Sequence, residues 1–129
     1  MSKFNTIEIS GLVSLHPKVE IHKFLGFFEH VRYQPTRSSI ESYRNYYSAR
    51  EAEVLLQIAD GNDPKATLEA AEEMQTSESG DYRLDMCLSE DCQFAAFQVF
   101  ERRKGEYVPY SKLCFLEGAQ AEAFENLIA

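Results

Sequence analysis

The chain has 129 residues, 44% of them apolar and 26% charged, with a formal net charge of −8. That length suits one domain with a core that needs no disulfide or metal, and the composition excludes a disordered tail. No apolar run is long enough to cross a membrane, Met1-Ser2-Lys3-Phe4 lacks the apolar stretch of a secretory signal, and three cysteines without framework spacing (Cys87, Cys92, Cys114) favour reduced thiols, so a cytoplasmic protein is expected.

The charge is partitioned along the chain. Residues 1–50 carry seven Lys and Arg against four Glu, residues 51–91 two against twelve Asp and Glu, and residues 92–129 four against five. In the first segment Ile7 and Ile9 alternate with polar neighbours, as do Val19 and Ile21 with Lys18, Glu20 and His22, which predicts short strands. Phe27–Tyr33 and Ile40–Tyr47 are aromatic and β-prone, although the second also reads as the start of a longer helix entering Ser48.

Ser48-Ala49-Arg50-Glu51 is a capping box, and Ala52, Leu55, Leu56 and Ala59 behind it form an apolar stripe that predicts a helix over 49–60, stopped by Asp60-Gly61. Asp63-Pro64 opens a second helix over 64–75, and residues 76–81 read as a loop. Three strands follow at Tyr82–Leu88, Phe94–Arg103 and Tyr107–Leu116, the last two joined by a hairpin turn at Arg103-Lys104-Gly105-Glu106. Ala119–Ile128 closes the chain as a helix with Phe124, Leu127 and Ile128 turned inward.

These elements predict an α+β fold, a curved antiparallel sheet with about three helices in one domain. The domain divides into a strand-rich part (1–47), a helical acidic part (48–76) and a strand-strand-strand-helix part (82–129). Glu51-Ala52-Glu53-Val54-Leu55 is echoed by Gln120-Ala121-Glu122-Ala123-Phe124, which suggests two pseudo-repeated β-β-β-α units.

Catalytic chemistry has no local signature. There is no GxxxxGK[ST], GxGxxG or GxSxG for nucleotides or acyl transfer, and no HxH, HExxH or paired Cys spacing for a metal. His16, His22 and His30, with Glu20 and Glu29 nearby, read as surface or boundary residues, and Cys87-x4-Cys92 has no second pair. The expectation is a binding module without catalytic residues, metal or cofactor.

Two surfaces compete for the binding role. Lys23, Arg32, Arg37, Arg44 and Arg50 interleave with Phe24, Phe27, Phe28, Tyr33, Tyr43, Tyr46 and Tyr47, the mixture that holds single-stranded nucleic acid by phosphate neutralisation and base stacking. Arg102, Arg103, Lys104 and Lys112 extend that candidate surface, and the tyrosines at 43, 46 and 47 are expected to expose their rings. The competing reading makes Phe24, Phe27 and Phe28 core and the arginines the solvated face of a sheet. Glu69, Glu72, Glu73, Glu78 and Asp81 form the second candidate, an acidic surface for a basic nucleic-acid-handling protein, as in small phage- or plasmid-type inhibitors that mimic nucleic acid. Such a run also serves as a solvated helix face.

Gly105-Glu106-Tyr107-Val108-Pro109, then Lys112, the short apolar strand ending at Leu116 and a packing helix with Phe124 give residues 94–128 a resemblance. The stretch is similar to the whirly-type single-stranded-DNA-binding domains of the transcriptional positive-cofactor family. The resemblance implies a twisted antiparallel sheet with a helix, pairing into a homodimer, and Lys112, Arg102 and Arg103 as phosphate contacts. The chain departs from that pattern at Phe100, where the family has an Arg, and at Leu113, where it has a Gly.

Overall fold

Among the described residues, eight strands form one antiparallel sheet with three helices packed on it. The computed structural model describes residues 5–6, 10–24, 26, 28–59 and 81–128. The strand expected around Ile7 and Ile9, the helix expected over 64–75, and Glu69, Glu72, Glu73 and Glu78 lie outside them. The strands are β1 (Asn5–Thr6), β2 (Val19–Phe24), β3 (Phe28–Tyr33), β4 (Ser38–Tyr47), β5 (Tyr82–Ser89), β6 (Phe94–Arg103), β7 (Glu106–Pro109) and β8 (Cys114–Glu117). The helices are α1 (Ser10–Val13), α2 (Ala49–Ala59) and α3 (Ala119–Ile128).

The strand order is β2-β3-β4-β5-β6-β7, with β1 also on β4 and β8 also on β6. In chain order the described elements run β1-α1-β2-β3-β4-α2 and then β5-β6-β7-β8-α3, so the two halves do not repeat one strand-strand-strand-helix unit. The capping box is formed as expected: the Ser48 N–H donates to Glu51 Oε1 at 3.1 Å and the Glu51 N–H donates to Ser48 Oγ at 3.3 Å. Two backbone donors are thus satisfied where α2 leaves the sheet.

The long central strands bury side chains on both faces, and two cores result. Leu84, Met86, Ala95, Phe97, Val99 and Leu116 face α2 and α3, where Phe97 stacks on Phe124 with ring centroids 4.7 Å apart. On the other face Ile40, Cys87, Phe94 and Ala96 are covered by Leu12 and Val13 of α1 and by Val31 and Tyr33 of β3. Reaching that second core requires the sheet to curl, because β2 and β3 must return over β6 and β8. His16 and Lys18 fasten the curl, each within 3.3 Å of a Glu117 carboxylate oxygen.

Three details differ from expectation. The stretch Tyr107–Leu116 is not one strand but β7 and β8 separated by a bulge. Pro109 has no N–H for the ladder, and the Tyr110 and Ser111 N–H groups both donate to the Val99 carbonyl, so two residues oppose one. Tyr47 is only 8% exposed and belongs to the first core. Helix α1, at four residues, is too short to show a helical period in sequence.

Candidate functional site

Antiparallel register decides which of the candidate side chains meet. Tyr46 stands opposite Arg83, which stands opposite Phe100, while Arg44 stands opposite Asp85 and Arg102 opposite Tyr107. Residues paired in this way share a sheet face. Arg44, Tyr46 and Arg102 are thereby brought to one end of the face that carries the second core, together with Arg83, Asp85, Phe100 and Tyr107. The chemistry there is largely internal. Arg44 Nε and Nη2 donate to the two Asp85 carboxylate oxygens at 2.8 and 3.1 Å, and Arg83 Nη2 donates to Asp85 Oδ2 at 3.1 Å. The Arg83 guanidinium lies 4.3 Å from the Phe100 ring centroid and 5.3 Å from that of Tyr107. Tyr46 leans onto Tyr107 with centroids 5.7 Å apart and keeps 42% of its surface exposed.

The remaining cationic candidates are scattered. Arg102 lies 3.7 Å from Asp81, and Arg103 pairs with Glu101, to which Tyr82 also donates. Lys104 is in the β6–β7 turn and Lys112 in the bulge, both exposed. Lys23 and Arg32 sit on the β2–β3 hairpin, where Arg32 Nε donates to His30 Nε2 at 2.8 Å, and Arg37 occupies the β3–β4 turn. Tyr43 points to the opposite face, half-buried against the first core. Cys87 is buried in the second core, where burial pushes its thiol up to about 12, and Cys92 sits in the β5–β6 turn.

The other concentration of chemistry lies on that opposite face. A cavity of about 560 Å3 is lined by Ser39, Glu41 and Tyr43 of β4, Leu88 and Ser89 of β5, Glu90 of the following turn, and Glu125 and Ile128 of α3. Three carboxylates and two aliphatic side chains share a wall with no basic residue among the described residues. The Tyr43 hydroxyl donates to Glu41, and this bond, helped by burial, pushes the phenol up to about 12. Burial raises the Glu125 carboxyl above its ordinary range, and nearby Asp91 and Glu122 push it the same way. The Cys92 thiol, bonded to Glu125, rises to about 11. Each shift has the sign expected where negative charge is crowded and partly desolvated.

Arg83 and Asp85 carry a sequence signal, since they alternate with Leu84 and Met86 in the period of a half-buried strand. Glu41, Glu90 and Glu125 carry none, because three distant segments supply them. No family model, no curated protein and no solved structure matches the chain.

Proposed function

We propose that this chain is a protein-interaction module whose acidic cavity receives a lysine or arginine side chain from a basic segment of a nucleic-acid-handling protein. The observation that carries the reading is the cavity wall, with Glu41, Glu90 and Glu125 for a cationic head and Leu88 and Ile128 for an aliphatic stem. The net charge of −8 supports it, since an acidic surface steers a basic partner into encounter. A second reading, binding of single-stranded nucleic acid, is favoured by the shared sheet end of Arg44, Tyr46 and Arg102. Its cations are largely matched by Asp85 and Asp81, so few remain to displace counterions from phosphates.

One pair of titrations separates the two. Calorimetry with an arginine-rich peptide and with its citrulline counterpart should show binding of the first alone. Glu41→Gln with Glu90→Gln and Glu125→Gln should weaken that binding by about tenfold or more, the equivalent of ~1.4 kcal/mol. Fluorescence anisotropy with labelled single strands should stay flat in low salt. Binding of the oligonucleotide that is lost in Arg44→Ala and Tyr46→Ala, with no peptide binding, would replace the first reading by the second.

A further inference from the structure

The outer edge of β2 is the longest strand edge left open among the described residues. β2 pairs on one side only, with β3, in unbroken register from Val19 opposite Tyr33 to Phe24 opposite Phe28. The Gln34 N–H donates to the Lys18 carbonyl at 2.8 Å, so the bonded pairs on the β3 side involve the even-numbered residues of β2. Antiparallel ladders alternate, which turns the N–H and C=O groups of Val19, Ile21 and Lys23 outward. The Val19 N–H is taken by the His16 carbonyl at 3.1 Å. The outward carbonyl of Val19 and both outward groups of Ile21 and Lys23 have no backbone partner among the described residues.

Among the described residues the other open edges are shorter or guarded, the shorter ones including Phe28–Val31 of β3, which β4 does not cover. β7 has four residues and ends in Pro109, which cannot donate, and β8 also has four, with Glu117 engaged by His16 and Lys18. β2 has six residues, no proline and no bulge.

We infer that β2 pairs antiparallel with β2 of a second copy of this chain, about a two-fold axis at Ile21, to join two sheets into one. Side chains choose the copy and the register. With Ile21 opposite itself, Glu20 of each chain faces His22 of the other, and Lys23 faces Val19 rather than another lysine. The side-chain row across the seam then reads Arg32, Glu20, His22, His30, with the carboxylate between nitrogen donors on both sides. Within one chain Glu20 and His22 already approach to 3.3 Å, so both are placed on the same face of the edge. The half-buried Val19 and Ile21 gain cover on the other face.

Sedimentation velocity over about a hundredfold range of protein concentration should show a monomer–dimer equilibrium. Ile21→Pro removes an outward N–H and trims a half-buried side chain, and should leave a monomer whose circular dichroism is still that of the folded protein. Glu20→Lys should raise the dimer dissociation constant at least tenfold, and adding His22→Glu should restore it by reversing the pair. A wild-type monomer at the highest concentration, a dimer indifferent to Ile21→Pro, or a failure of the reversed pair to recover would each overturn the inference. These outcomes are independent of whether a basic peptide binds the cavity.

Discussion

Asp85 shows what single residues contribute and how little of it is local. It is 8% exposed and is the shared acceptor of Arg44 and Arg83, so one carboxylate holds two guanidiniums and the group keeps a net positive charge. Removing one partner of a buried ion pair leaves an uncompensated charge and costs more than the pair contributes. Asp85→Ala should therefore destabilise the fold by about 3 kcal/mol, read from the urea midpoint at neutral pH. Asp85→Ala combined with Arg44→Met should recover part of that loss. If the single variant unfolds at the wild-type midpoint, the ion pairs are solvated and the site is a surface. Arg44 and Tyr46 were legible in sequence as members of a basic-aromatic surface, but their company was not. The partner of Arg44 is forty-one residues away, and the rings that stack on Arg83 belong to β6 and β7.

At the scale of elements, local chemistry was the better guide. The β6–β7 hairpin has Arg103 opposite Glu106, which leaves a two-residue loop of Lys104 and Gly105 at φ of 51° and 81°. Both positive values fit the mirror-image turn whose twist matches a hairpin, and Gly105 meets this at no steric cost. Gly105→Ala should cost about 1 kcal/mol, because open space around a new Cβ does not relieve the left-handed backbone. Lys104→Asn should hold stability level or raise it slightly, since Asn tolerates that conformation. Thermal melts of both variants check this, and equal losses in the two would show that the turn is not the determinant. The same logic explains why α2, α3, β5 and β6 were legible: capping box, helical stripe and alternation are signals carried within ten or so residues. The β7–β8 bulge was not, because it depends on which carbonyl of β6 lies opposite Tyr110 and Ser111.

At the scale of the molecule, the curl of the sheet is fastened by a small polar cluster. His16 is 10% exposed, packs edge-on to Phe94 at 4.9 Å and tilted to Phe115 at 4.7 Å, and lies 3.3 Å from Glu117. Burial lowers its pKa below the ordinary 6.5, and the opposing pull of Glu117 does not cancel this. The folded state thus binds a proton less readily than the unfolded chain. The neutral ring contributes stability that is full above pH 6.5 and is lost as pH falls below that value. Burial alone would raise Glu117, but the bond and charge of Lys18, with Tyr33 and His16, outweigh it and hold the carboxyl below 4.5; its share is lost at still lower pH. His16→Phe should keep the ring packing and flatten urea midpoints measured from pH 7 down to pH 5. An unchanged slope would assign the titration elsewhere. By itself the sequence determined that the chain makes an α+β fold of strands and capped helices, since hydrophobic period and turn chemistry act over a few residues. It also determined that charge is unevenly divided. Only the tertiary structure decided where that charge works, by curling the sheet, spending Arg44 and Arg83 on Asp85 and gathering Glu41, Glu90 and Glu125 around one cavity. Coulomb and packing energies depend on distance in space, and sequence separation does not encode that distance.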